Sequence, residues 1–292
     1  MAESHWHRWQ LTAPLAALSR PVRAAAGPAA PVVPTGPAAA AGGHVPVAGT
    51  VGPSAASGGT ESPAGTSRPR AAAAGGLPVL LGDARARQVD GSTCGSAVLV
   101  MLAATGDPAL ARWLETGRLP AGPRPPEVPA QDVRGGAGER FAAAQRQVKA
   151  ATARRALGPL PWPASLGTPP WTAAREARFP GVRYRVRPVS DSSPEAADVL
   201  GLVEAANRRG IPVPVYVGGD VRGGLSHAVP RHVVLAVPPP PGAALPGTLQ
   251  VYEPAEGSVH TVPVSDLLGR TGPHPALGGW THVTAVLLPV PA

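Results

Sequence analysis

The sequence predicts an α+β domain, helices first and antiparallel strands second. Three observations carry that expectation. Several segments between residues 94 and 209 place apolar residues at helical spacing, and the first of them is apolar nearly all round. From residue 211 onward the apolar residues gather instead in short β-branched runs divided by turn residues. Before residue 77 neither period exists. Residues 24–76 are almost entirely Ala, Gly, Pro, Ser, Thr and Val, and much of the excess in 39 prolines and 36 glycines lies there. Such a stretch buries too little apolar surface to offset the entropy of ordering it. Residues 1–76 are therefore expected to be a disordered leader or linker, and residues 77–292 a single domain.

Within that domain, residues 77–81 are a short apolar piece broken by Pro78. The chain then reaches Gln88-Val89-Asp90-Gly91-Ser92-Thr93-Cys94-Gly95, followed by an apolar run from Ser96 to Ala104. A helix without a polar face belongs in the interior. Ser92 or Thr93 is its expected N-cap and Gly106 its stop. Asp107-Pro108 opens a second helix, with the carboxylate as cap and proline at the first helical position. Residues 118–130 are Pro-rich loop. Residues 139–157, rich in Ala, Arg and Gln, form a third helix, and residues 171–178 a short fourth. Residues 182–187 alternate Val, Arg, Tyr, Arg, Val, Arg, the pattern of a half-exposed strand. Residues 194–209 are an amphipathic helix stopped by Gly210. Five strands follow at 211–217, 232–237, 249–253, 258–262 and 281–290.

Composition excludes several classes of function. The formal charge is +8, from 26 basic and 18 acidic residues, and Lys149 is the only lysine. Nucleic-acid binding needs arginines clustered on a face with interleaved aromatics. The nearest approach is Arg140, Arg146, Lys149, Arg154 and Arg155, and aromatics are only 4% of the chain. That run is expected to be a solvated helix face, and no nucleic-acid partner is expected. A single cysteine rules out an internal disulfide framework and a multi-cysteine metal site. The histidines offer no short-spaced pair within residues 77–292, so no metal is expected. No apolar run reaches the roughly 18 residues a bilayer requires, so no membrane span is expected. A cytoplasmic location is the expectation, although Ala24-Ala25-Ala26 has the small-residue character of an export cleavage site.

Cys94 carries the chemistry. A thiol attacks a carbonyl well only as thiolate, and a helix N-terminus with a nearby imidazolium favours that form. Cys94 opens the apolar helix, and the small residues around it let a substrate backbone approach. An isolated cysteine is also often an ordinary buried residue. Gln88 tips the balance, because an amide six positions upstream can join the Cys94 N–H in holding an oxyanion. The base is expected to be His232, at the head of a strand, with Glu253 ending the next strand. His227, His260 and His282 are rivals. Order favours His232, since no Asp or Glu follows His282.

Gln88…Cys94-Gly95-Ser96-Ala97 followed by an apolar helix resembles the papain superfamily, most of all the branch of bacteriocin-leader-processing peptidases. In that family the histidine heads a strand and an Asp or Asn ends the next, often before Pro. Here His232-Val233-Val234-Leu235-Ala236-Val237 and Val251-Tyr252-Glu253-Pro254 correspond, with Glu253 replacing the usual Asp or Asn. The resemblance implies a helical lobe, led by the Cys94 helix, packed on an antiparallel sheet. It also implies a cysteine peptidase or amidase needing no cofactor, with a peptide or protein as substrate. Two other readings share these residues: an inactive domain of the same fold that binds peptide or protein partners, and acyl transfer to an amine instead of water.

Overall fold

The structure, a computed structural model, describes residues 76–219, 231–240 and 242–292. The leader expected over residues 1–76 thus lies, but for Gly76, outside the described residues, as does His227.

The chain is mixed α+β, as its two periods require. Three short strands come first: β1 (Leu77–Pro78), β2 (Leu80–Leu81) and β3 (Ala84–Arg85). Four helices follow: α1 (Cys94–Gly106), α2 (Pro108–Thr116), α3 (Ala137–Ala153) and α4 (Pro170–Glu176). Then come β4 (Val182–Pro188), α5 (Ala196–Arg208), β5 (Val213–Gly218), β6 (His232–Val237), β7 (Thr248–Glu253), β8 (Ser258–Pro263) and β9 (His282–Pro291). Among the described residues, seven strands form one antiparallel sheet in the order β1-β8-β7-β6-β5-β9-β4.

The sheet is covered on both faces, and strand pleating divides the core. Val233 and Leu235 of β6 point to one side with Tyr216, Tyr252, Ala285 and Leu287, and meet α1 to α4 there. Val234 and Ala236 point to the other with Val215, Val251 and Val286, against Val199, Leu200 and Val203 of α5. Burial on two faces is why the central strands read as unbroken apolar runs. Each fully buried Val or Leu contributes roughly 1.5–3 kcal/mol, so both layers matter to stability. Helix α1 lies against β6 and β5 and is hemmed in by α2 and α3, and nine of its residues are buried. An all-apolar helix has no alternative place.

Local signals behaved as their chemistry dictates, with instructive exceptions. Asp107 caps α2, accepting from the Ala109 and Leu110 amides at 2.9 and 3.2 Å. Thr93 occupies the N-cap position of α1, but its hydroxyl bonds no α1 amide. It closes the preceding turn instead, donating to the Asp90 carbonyl at 3.0 Å and accepting from the Asp90 amide at 2.9 Å. Helix α3 ends at Ala153, short of the expected 157, where Arg154 turns extended and Arg155 adopts φ 52°.

One charge expectation is corrected. Arg140, expected on a solvated face, is only 7% exposed. Its guanidinium donates to the carbonyls of Leu114, Glu115 and Gly135 at 2.7–2.9 Å. The last carbonyls of α2 lack intrahelical donors, and a buried cation from α3 satisfies them. Arg146, Arg154 and Arg155 are exposed as expected.

Candidate active site

Antiparallel pairing of β6 with β7 brings the start of one strand to the same end of the sheet as the finish of the other. His232 and Glu253 occupy those positions, 6% and 0% exposed. His232 Nε2 lies 2.7 Å from Glu253 Oε1. The same ring is close enough to Cys94, the first residue of α1, for the sulfur to raise its pKa. Burial pushes the imidazole toward the neutral form. The hydrogen bonds and negative charge of Cys94 and Glu253 outweigh that and raise His232 to about 9.

Glu253 is well provided with donors. Besides His232, the Ala255 amide donates to Oε1 at 2.9 Å and the Glu256 amide to Oε2 at 2.7 Å. Burial raises its carboxyl, but these three hydrogen bonds more than offset it and hold the group below the ordinary carboxylate range. A buried carboxylate bonded this way fixes both the orientation and the protonation of the ring it faces.

Two glycines permit the packing. A Cβ on Gly278 would stand 2.6 Å from His232 Nε2 and 3.1 Å from Glu253 Oε1, and its φ is +63°. The turn containing it therefore lies directly against the histidine–glutamate pair. A Cβ on Gly95 would stand 2.7 Å from the Thr168 side chain and 3.4 Å from Val233. This lets the segment ending at Thr168 lie against the start of α1.

The residues leading to Cys94 are held from three directions. The Gln88 amide N–H donates to the Pro254 carbonyl at 2.8 Å, tying this loop to the end of β7. Tyr252 donates its hydroxyl to the Ala86 carbonyl at 2.7 Å. Gln145 of α3, fully buried, accepts from the Val89 amide at 3.0 Å and donates to the Arg87 carbonyl at 2.9 Å, bracketing Gln88. This clamp was missed in the sequence, although Gln145 shares a helical face with Phe141, Ala144 and Val148. The Gln88 side chain donates its Nε2 to the Asp90 carbonyl at 2.7 Å, and its Oε1 is buried without a partner. Among the described residues nothing accepts from the Cys94 amide, as the first turn of a helix leads one to expect.

The structure thus brings Cys94, His232 and Glu253 together. It places Gln88 on the adjoining loop with its amide turned to Asp90. Two of the rivals, His282 and His260, have other partners. His282 Nδ1 lies 2.9 Å from Asp191 Oδ2, both buried. That acid precedes the histidine by 91 positions, so it does not follow the order of histidine then acid that singles out His232. His260 lies 3.1 Å from the Ser258 hydroxyl.

A cleft of about 150 Å³ is lined by Gly91, Ser165, Leu166, Gly167, Arg231 and Trp280. Gly91 lies three residues before Cys94, and Arg231 immediately precedes His232. Among the described residues no single helix is long and apolar enough to cross a membrane. Compared with known proteins, the chain matches no family model, no curated protein and no solved structure.

Proposed function

We propose that residues 77–292 are a papain-like cysteine peptidase or amidase, with Cys94 as nucleophile, His232 as acid and base, and Glu253 as the group that orients the ring. The observation that carries this reading is an imidazole held 2.7 Å from a buried carboxylate and raised in pKa by that carboxylate and by the only cysteine of the chain.

The thiolate attacks the carbonyl carbon of a peptide or other amide, and the electron pair moves onto oxygen. The Cys94 amide, free of an internal acceptor, faces the forming oxyanion. Gln88 joins it by rotating its amide away from Asp90. His232 passes a proton to the leaving nitrogen, the C–N bond breaks, and a thioester remains. Water then gives a proton to His232 and attacks the thioester. The C–S bond breaks, releasing the acid and restoring thiolate and imidazolium.

A second reading, an inactive domain that binds peptides, draws on two observations: Cys94 is only 3% exposed, and the Gln88 amide is already bonded. Alkylation of the purified protein separates the two. The enzyme predicts rapid modification of Cys94 near neutral pH, absent in Cys94→Ala and slowed at least tenfold in His232→Ala. Modification no faster than that of a free thiol in a peptide would sink the enzymatic reading.

A further inference from the structure

We infer that Arg231 is the specificity-determining cation of this site, selecting substrates with a carboxylate group close to the bond that is cut. The inference rests on the peptidase reading and concerns the cleft lined by Arg231 and Gly91, which lie one and three positions from the base and the nucleophile in the chain.

Three features of the cleft support it. Arg231 is exposed, lines the cleft, and precedes the catalytic histidine in the chain. Among the described residues no carboxylate pairs with its guanidinium, whereas Arg178, Arg175 and Arg208 all have such partners. Its backbone is fixed, since its amide donates to the Val217 carbonyl at 3.0 Å. The residue that carries the charge is therefore anchored to the end of β5.

The other lining residues bear on what the ligand can be. Ser165, Leu166 and Gly167 line the cleft together with Arg231 and Trp280, and Leu166 is 50% exposed. Gly91 and Gly167 present backbone without side chains. The acidic neighbour Asp90 does not compete for the guanidinium. Its Oδ1 accepts from the Ser92 amide and hydroxyl at 2.7 and 2.6 Å, and Lys149 bonds the same hydroxyl. A cleft of about 150 Å³ has room for one side chain. A carboxylate fits a largely polar cleft with a single cation, and Leu166 and Trp280 leave room for a short stem. That carboxylate is either an Asp or Glu side chain or the C-terminus of the peptide.

Two alkylating reagents of equal reach test the charge. Iodoacetate and iodoacetamide both lose iodide as the Cys94 sulfur bonds their methylene carbon, but only the first carries a carboxylate. In the wild-type protein the rate ratio of iodoacetate to iodoacetamide should exceed that of Arg231→Gln by roughly three- to tenfold, shrinking with added salt. Arg231→Lys should keep most of the excess. A ratio unchanged by Arg231→Gln overturns the inference while leaving the peptidase reading intact. Failure of both reagents to modify Cys94 overturns the peptidase reading itself, and the inference with it. Peptide libraries then separate the sources of the carboxylate. Faster cleavage of amidated peptides with internal Asp or Glu assigns the side chain, and faster cleavage of neutral peptides with a free C-terminus assigns the terminus. Equal cleavage of both and of a neutral, amidated library contradicts the selectivity.

Discussion

Replacing Glu253 by Gln changes one atom and leaves the shape of the site, yet the geometry does not allow it to be silent. Oε1 accepts from His232 Nε2 and the Ala255 amide, and Oε2 accepts from the Glu256 amide. A glutamine has one acceptor oxygen. If that oxygen takes the Oε1 position, its NH₂ meets the Glu256 amide; in the reverse orientation it meets His232 and Ala255. Either way at least one buried donor loses its acceptor, which costs roughly 1–3 kcal/mol. For a domain of this size that lowers Tm by roughly 2–12 °C. The substitution also removes the negative charge that helps raise His232.

The pH dependence gives the sharper measurement. His232 is raised from 6.5 to about 9. Its contribution to stability is therefore fully present below pH 6.5 and is lost as pH rises through about 9. The amount lost on the alkaline side is roughly 3 kcal/mol. Glu253 is lowered, so its contribution is present at neutral pH and disappears in acid. In Glu253→Gln the alkaline loss should begin at lower pH and be smaller, and the acid loss should weaken. Thermal unfolding of both proteins across the pH range, with Cys94 alkylation followed alongside, provides the comparison. Identical pH profiles for wild type and variant would refute the claim that Glu253 orients and charges the ring.

Two further substitutions probe neighbouring packing. Gly278→Ala places a methyl carbon 2.6 Å from His232 Nε2 at a backbone φ of +63°. We expect destabilisation of roughly 2–4 kcal/mol and at least a tenfold loss of alkylation rate; a wild-type rate would show that the turn does not set the ring position. Asp191→Asn weakens the buried pair with His282. It should lower Tm through a cost of up to roughly 3–5 kcal/mol, while folded protein alkylates Cys94 within about twofold of wild type. A folded variant that no longer reacts would instead link this second pair to the chemistry.

The order of elements, their approximate boundaries, and the all-buried helix at Cys94 were legible in the sequence. Each follows from local rules: apolar period, caps such as Asp107-Pro108, and turn residues between strands. The candidate residues Cys94, His232 and Glu253 could likewise be picked out by type and order along the chain. Their meeting could not be read there, because it depends on the register of β6 against β7 and on how α1 crosses the sheet.

The same limit explains what the sequence reading got wrong or passed over. Arg140 looked solvated because charge patterning carries no information about which carbonyls another helix leaves unpaired. His282 looked unpartnered because its acid comes from the far side of α5 and four strands. Gln145 and Gly278 act across long separations, one on the loop before Cys94 and one on the histidine–glutamate pair. The sequence by itself determined which segments are helix or strand, and which residue types are available for chemistry, because those depend on neighbours within a few positions. Only the tertiary structure decided which of these side chains touch, since contacts between distant segments arise from packing two hydrophobic layers on one sheet.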